Sequence, residues 1–288
     1  MLCSINEREF ELFKDLIAEK SGIELKPEKA YLIETKLTTL MIESGAETFS
    51  EFYDYIVSGV DTEITDKIIE AITVNETMWF RDDTLWSFIK EETLPKLTQE
   101  FTSGKRDKVR IWSAAVSTGQ EAYSMAMCVD NYLSKISRSD ATNIELSNFE
   151  IFATDISGRV LNIAKKGRYD RISMSRGIDD FYKTWYFDER NLGWNIDEKI
   201  KDSVKFQKFN LKDSYDDFGK FDIIFLRYVL IYFSDELKRM VLEKMCEALT
   251  DNGILFTGNY VLFELMSEYF DINHYGNLTY YTKKLVTK

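Results

Sequence analysis

The chain has 288 residues, 44% apolar and 14% aromatic, enough to bury one large core or a large and a small one. Its net charge of −12 argues against phosphate-backbone binding as the main activity, because that activity needs basic stripes. Three scattered cysteines without CxxC spacing and a lone histidine, His274, argue against a disulfide framework, a metal site and a His-activated nucleophile. No apolar run is long enough for a bilayer and no secretory leader opens the chain, so the expected setting is cytoplasmic.

Residues 1–75 predict a helical domain. Ser4 and Glu7 form a capping box, after which Phe10, Phe13 and Ile17 share one face, and Gly22 is the stop. Pro27 opens a second helix running to Gly45, with Leu32, Leu37, Leu40 and Met41 apolar. Thr48 and Glu51 cap Phe52–Val57, and a fourth helix covers Glu63–Ile72. The domain carries seven Lys/Arg and sixteen Asp/Glu, a net of −9.

Residues 76–288 form the second domain, and from about Val109 β and α patterns alternate. Strands are expected at Val109–Ser113, Glu150–Thr154, Asp222–Leu226 and Ile254–Thr257. Helices are expected at Glu121–Leu133, Gly158–Lys166 and Asp235–Leu249. This order predicts an α/β fold, a Rossmann-like doubly wound and mostly parallel sheet with helices on both faces. Ligands of such sheets bind beyond the carboxyl ends of the strands, where Ser113–Thr118, Asp155, Arg227 and Gly258 fall. Short aromatic and β-branched runs at Trp185-Tyr186-Phe187 and Val204-Lys205-Phe206, around Asn191-Leu192-Gly193, predict a small inserted antiparallel ribbon at about 183–209.

The most informative stretch is Arg110-Ile-Trp-Ser-Ala-Ala-Val-Ser-Thr-Gly-Gln-Glu. A strand, a small-residue turn and a helix start bring backbone close to a nucleotide-like cofactor. Glu121, however, stands where a phosphate-binding loop keeps its N–H groups free for an anion. A cationic ligand fits better, and S-adenosylmethionine carries both an ammonium and a sulfonium. Asp155, directly after Ile151-Phe152-Ala153-Thr154, can accept both ribose hydroxyls of an adenosine; the alternative is a cap for the helix after Ser157. In Asn75-Glu-Thr-Met-Trp-Phe-Arg81, either Asn75 or Thr77 can cap a helix, and Arg81 can be an ordinary ion-pair partner.

Together these segments resemble the chemotaxis receptor glutamate methyltransferases, the CheR family. The family's N-x-T-x-F-F-R element matches Asn75–Arg81, with Trp79 in an aromatic slot, and its S-T-G-E-E-P-Y-S loop matches Ser117–Ser124. The A-[ST]-D-I element matches Ala153–Ile156, the N-L pair Asn210-Leu211, and R-N-V-[LM]-I-Y-F matches Arg227–Phe233. The order is preserved over nearly the whole chain. The resemblance implies a class I methyltransferase that uses S-adenosylmethionine, esterifies glutamates of a chemoreceptor and yields S-adenosylhomocysteine. It also implies roles for residues. Asn75, Thr77 and Arg81 would meet the methionine end of the cofactor or the substrate carboxylate, with Ala115 in the binding loop. Glu121 would hold the amino group and Asp155 the ribose, while Asn210 and the Leu211 backbone would read the adenine. Arg227 and Tyr228 would share the pocket, with Tyr232 near the methyl group; Arg81 and Tyr232 are the implied catalytic pair.

The sequence departs from the family at four places. Tyr228 replaces an asparagine, Gln120 a glutamate and Ala122 a proline, and the family's G-H-S-E segment is Gly258-Asn259-Tyr260-Val261 here. An acidic helical domain is also poorly matched to a glutamate-rich receptor helix. Two alternatives therefore stand beside receptor methylation: a methyltransferase of the same fold acting on another protein, and a non-catalytic cofactor-binding regulator or scaffold.

Overall fold

The computed structural model describes residues 4–137, 143–258 and 263–284. Four helices come first: α1 (Glu7–Ser21), α2 (Ala30–Glu43), α3 (Phe49–Val57) and α4 (Ile64–Ile72). They enclose a core of their own that includes Phe10, Phe13, Ile17, Leu37, Phe52 and Ile68. Phe13 stacks on Phe52 at 5.7 Å and meets Phe49 edge-on at 5.8 Å. The cap of α1 differs from expectation. Asn6 accepts from Glu9 N at 3.0 Å and the Glu9 carboxylate takes Asn6 N at 2.9 Å, whereas Ser4 donates to Glu34. Gly22 ends α1 in the left-handed region, as expected, and Pro27 begins a short 3₁₀ turn (Pro27–Lys29) that feeds α2. Thr48 caps α3, but Glu51 reaches back to Glu47 N and not to Thr48.

Next come α5 (Asp83–Phe88), a π-helical stretch at Ile89–Thr93, and α6 (Leu94–Thr102). The elements that follow are β1 (Val109–Ala114), α7 (Gln120–Ile136), β2 (Phe149–Asp155), α8 (Gly158–Lys166), β3 (Arg168–Tyr169), α9 (Arg171–Met174), α10 (Asp180–Tyr186), β4 (Phe187–Arg190), β5 (Gly193–Ile196), α11 (Glu198–Asp202) and β6 (Val204–Lys208). The chain continues through β7 (Phe221–Phe225), α12 (Asp235–Ala248), β8 (Leu249–Phe256), α13 (Phe263–Tyr269), β9 (Phe270–Tyr275) and β10 (Leu278–Lys283).

Seven strands form one sheet in the order β6-β2-β1-β7-β8-β10-β9. The first five run parallel, and β10 and β9 close the sheet as an antiparallel pair beyond the expected strands. His274 sits exposed on β9. The period of two along each strand divides the core. Val109 and Ile111 of β1 and Ile223 and Phe225 of β7 pack on the α7 side, while Trp112, Ala114 and Ile224 pack on the α12 side. The chain reverses direction across the sheet at β1, whose neighbours are β2 and β7, so the crevice lies beyond the ends of these three strands.

The ribbon needs one correction. The small sheet is β3-β5-β4, with a two-residue turn at Asn191-Leu192, both at positive φ as the hairpin requires. Val204-Lys205-Phe206 does not belong to it: β6 pairs in parallel with β2 from Ile151↔Val204 to Asp155↔Lys208. Val204 packs into the α7-side core and Phe206 meets Tyr123 of α7 at 5.5 Å. The open edge of β2 and the apolar back of α7 thus capture a strand whose alternation fits either sheet.

The helical domain is tied to the sheet by side chains that reach its helix ends. Asn210 Nδ2 donates to Lys20 O at 2.8 Å, and Lys212 Nζ donates to Ala18 O at 3.2 Å and to Glu19 O, so three successive carbonyls of the last turn of α1 are satisfied from outside. In the other direction, Glu70 Oε1 of α4 accepts Arg159 N in the first turn of α8 at 2.8 Å. Glu24 N donates to Tyr232 O at 2.8 Å. Among the described residues no helix is long and apolar enough to cross a membrane, and no group of three or more His, Cys, Asp or Glu could hold a metal ion.

Trp112 is fully buried among Tyr215, Phe218 and Phe221 at 5.2–5.3 Å, with Nε1 donating to Thr154 Oγ1 at 2.9 Å. Trp112→Ala is expected to cost about 3–5 kcal/mol in urea denaturation, the range for deleting a large buried aromatic. A loss below 1 kcal/mol would mean that the aromatic cluster collapses into the space.

Candidate functional site

The Asn75–Arg81 segment links the domains and is fixed by its aromatics. Trp79 is fully buried between Tyr169 (4.8 Å) and Phe187 (5.2 Å). Phe80 packs on Tyr182 at 4.3 Å, and its N–H donates to Ser124 Oγ of α7 at 3.1 Å. Two plugged rings leave Arg81 and Asp82 no choice but to emerge beside the strand ends. The Arg81 carbonyl is held by Trp86 Nε1 at 3.0 Å.

The turn from β1 to α7 runs through three left-handed residues, Ala115 (φ 65°), Ser117 (φ 55°) and Gly119 (φ 96°). A side chain on Gly119 would meet Ala164 Cβ at 2.9 Å, which explains the glycine. Ala115 and Ser117 have no such exemption, and backbone strain of roughly 1–3 kcal/mol per residue persists only where its surroundings enforce it. Here they do. Val116 N donates to Thr154 O, Ser117 N to Asp155 Oδ2 (both 2.8 Å), and Ser117 Oγ to the Asn75 carbonyl at 2.8 Å. The Asn75 side chain turns back to Thr73, and Thr77 is half-buried nearby in the sequence.

Asp155 ends β2 and is buried. Its second oxygen, Oδ1, accepts Ser157 N at 3.0 Å, so the carboxylate braces two loops. It is not the cap of α8, which is Ser157, accepting from Val160 N. Burial raises its pKa above the ordinary 3.8, while the backbone N–H groups of Ser157, Ser117 and Ile156 pull it back. Each oxygen retains a lone pair for a further donor.

Five side chains, Arg227, Glu121, Asp82, Tyr228 and Arg81, converge beyond β1 and β7. The Arg227 guanidinium, only 3% exposed, pairs with Glu121 Oε2 at 2.7 Å and Asp82 Oδ2 at 2.5 Å, and donates to Arg81 O at 2.8 Å. Its Nε is buried without a partner among the described residues. Burial alone would lower the Arg227 pKa, but Glu121 and Asp82 outweigh it and hold the group above its ordinary value. Glu121 Oε1 accepts Ser113 Oγ at 2.7 Å. Asp82 Oδ2 also accepts the Tyr228 hydroxyl at 2.6 Å, and the Arg81 guanidinium stacks on the Tyr228 ring 3.4 Å from its centroid.

Of the residues singled out in the sequence, Arg81, Glu121, Arg227 and Tyr228 thus form one cluster. Asn75 and Asp155 meet through Ser117 on the loop that also holds Ala115. Asn210 and Leu211 follow β6 beside Asp155, whose carbonyl accepts Phe209 N at 2.9 Å: Asn210 Oδ1 accepts Lys212 N at 3.1 Å while its amide faces α1, and the buried Leu211 offers its carbonyl to the Tyr215 hydroxyl. Tyr232 is half-buried against the helical domain, and burial raises its phenol pKa. Asn259, Tyr260 and Val261 lie outside the described residues. Asp82 was missed; its signal was only its place directly after the motif arginine.

The donor set suits a cofactor with an amino-acid head and a ribose: two carboxylates with spare acceptor sites, an unpaired Arg227 Nε and an Arg81 edge free of ion pairs among the described residues. Comparison with known proteins follows the same line. The profile described as "CheR methyltransferase, SAM binding domain" matches residues 75–274, and "CheR methyltransferase, all-alpha domain" matches 8–73. Chemotaxis protein methyltransferase 1 of Pseudomonas aeruginosa is 38% identical over 87% of this chain and 88% of that protein. Chemotaxis protein methyltransferase Cher2 of Pseudomonas putida is 36% identical over 88% and 90%, and the chemotaxis protein methyltransferase of Vibrio anguillarum 36% over 88% and 89%. Among solved structures, PKMT2 of Rickettsia typhi aligns at 16% identity and a TM-score of 0.37 over 64% of this chain and 26% of that one, a likeness on which nothing further rests.

Arg227→Met leaves two partly exposed carboxylates, with side chains 25% and 13% exposed, without their cation and is expected to destabilise in urea denaturation by less than the roughly 3–5 kcal/mol of a fully buried pair. Adding Asp82→Asn to the same chain should return part of that loss. Equal stability of Arg227→Met and the wild type would show that water reaches the cluster.

Proposed function

The chain belongs to the CheR family of S-adenosylmethionine-dependent methyltransferases, and we propose that it transfers the cofactor's methyl group to glutamate side chains of a chemoreceptor, forming methyl esters. The observation that carries this reading is the convergence of Glu121, Arg227 and Arg81 beyond β1 and β7, beside the Asp155 carboxylate at the end of β2.

Bound S-adenosylmethionine supplies a methyl group activated on a sulfonium. The acceptor is a carboxylate, already ionised at neutral pH with an unperturbed pKa of about 4.3, so the chain need not remove a proton. Its task is alignment and exclusion of water. In this reading Glu121 takes the ammonium with the acceptor sites that Ser113 and Arg227 leave open. Asp155 takes the ribose hydroxyls, and the left-handed backbone at Ala115 lets the loop come close to the ligand. Arg81 offers its N–H edge to a carboxylate, with Asn75 and Thr77 beside it. Arg227 and Tyr228 hold the wall of the pocket and Tyr232 lies near the transferred methyl. Asn210 and Leu211 would meet the adenine; the Asn210 amide is occupied by Lys20, so this contact calls for the Asn210–Leu211 backbone or a shift of α1.

The helical unit at 1–75 is assigned to substrate docking and 76–288 to cofactor binding and transfer, in a cytoplasmic setting. A second reading, transfer to another protein, is favoured by the net charge of −9 on residues 1–75, since like charges slow the encounter with a glutamate-rich helix.

Transfer of labelled methyl groups to a purified chemoreceptor fragment tests the reading. Base-labile label, released as methanol, is the expected result; base-stable label, or label only on other proteins, would overturn it. Asp155→Ala, which also releases Ser117 N and Ser157 N, should weaken cofactor binding by at least about 1–3 kcal/mol in calorimetry while the sheet and helices remain folded. Because burial raises the Asp155 pKa and the anion is the acceptor, wild-type affinity should fall on acidification by about tenfold per pH unit below that raised value. Asp155→Asn should lose this dependence.

A further inference from the structure

Tyr228 stands where the family carries a small amide, yet the surroundings of its ring are built for it. The hydroxyl is anchored on Asp82 at 2.6 Å. The ring lies on Gly258, where an added Cβ would stand 3.0 Å from two of its carbons. Tyr228 N donates to Thr257 O at 3.3 Å, and the residue is held at φ 58°, a conformation that a bulky side chain adopts only under constraint. On this fixed plate the Arg81 guanidinium rests at 3.4 Å, in van der Waals contact, with the buried Arg227 at 5.4 Å. Arg81 makes no ion pair among the described residues, so its in-plane N–H groups remain for a ligand.

We propose that Tyr228 is a positioning residue: its ring fixes the plane of Arg81 so that the guanidinium edge meets a planar carboxylate through two parallel hydrogen bonds. A guanidinium stacked on an aromatic face loses little freedom when it forms such a fork, whereas an unsupported arginine must be ordered at the moment of binding. The phenol serves this role as a neutral group, since burial and the Asp82 hydrogen bond both raise its pKa. The carboxylate comes either from the methionine end of the cofactor or from the acceptor side chain. The inference rests on the methyltransferase reading.

The test uses the full chain with Tyr228→Leu, which removes the ring, and Tyr228→Phe, which keeps it. S-adenosylhomocysteine and methylthioadenosine, which lacks the amino-acid head, are titrated calorimetrically, and methyl transfer to a receptor fragment is followed for KM and kcat. If the cofactor supplies the carboxylate, Tyr228→Leu weakens S-adenosylhomocysteine about tenfold, leaves methylthioadenosine unchanged, and Tyr228→Phe retains most of the affinity. If the acceptor supplies it, neither titration moves, while Tyr228→Leu raises the receptor KM about tenfold and Tyr228→Phe does not. A folded Tyr228→Leu protein equal to wild type in every assay overturns the proposal. So does a Tyr228→Phe protein as impaired as Tyr228→Leu, because the hydrogen bond to Asp82 would then matter and not the ring. Should Tyr228→Leu fail to fold, Arg81→Lys keeps the charge without the planar fork, and its parity with wild type overturns the proposal. Failure of the wild type to bind S-adenosylhomocysteine would instead overturn the methyltransferase reading itself.

Discussion

The buried guanidinium of Arg227 is the interaction on which the rest of the crevice depends. An uncompensated charge at that depth costs several kcal/mol, so the fold must deliver partners to it. It draws three partners from two segments: Glu121 from the start of α7, and Asp82 with the Arg81 carbonyl from the turn before α5. Satisfying one side chain therefore fixes the relative position of two loops and a strand end. The strained turn at Ala115–Gly119 is held in the same way, by hydrogen bonds from β2 and from the segment that ends in Arg81. The walls of the crevice are thus hydrogen-bonded to one another.

This arrangement reconciles an acidic site with a cationic cofactor and an anionic acceptor. Glu121 and Asp155 are the anions that, in the proposed reading, would take an ammonium and a ribose, whereas Arg81 is the one guanidinium in the cluster whose N–H edge is not committed to a protein carboxylate among the described residues. In the proposed reading the donor and acceptor ends of the reaction would face groups of opposite character, and methyl transfer to an ionised carboxylate asks for little beyond such placement.

Much of this was legible in the sequence where the signal was local. The helical periodicity of Phe10, Phe13 and Ile17, the β–α alternation after Val109 and the motif order each depend on residues close in the chain, and the structure has the corresponding helices and parallel strands. Local patterns failed where two solutions share one pattern. Ser4-x-x-Glu7 and Asn6-x-x-Glu9 are both capping boxes, and only the pull of Glu34 on Ser4 separates them. Val204-Lys205-Phe206 alternates equally well for a ribbon or for a sheet edge, and the exposed flank of β2 decides. Asp82 was invisible because its partner lies 145 residues away, and a charge pair across that distance leaves no periodic trace. The Asn210 amide points to Lys20 for a related reason: the end of a distant helix offered it a carbonyl.

That contact at the end of α1 bears on how such a chain can be rearranged. Beyond the Gly22 cap on Ala18 O, the carbonyls of Glu19 and Lys20 that the end of α1 leaves open are taken by Lys212 and Asn210, and the first turn of α8 borrows a carboxylate from α4. The two units are consequently not interchangeable cassettes. A helical unit transplanted from a relative would bring its own helix ends to a surface whose donors and acceptors were set for different ones, and a chimera would inherit the mismatch within one turn of the loop that carries Asp155. Recombination that respects this seam would move the Asn210–Lys212 segment together with the helices it closes.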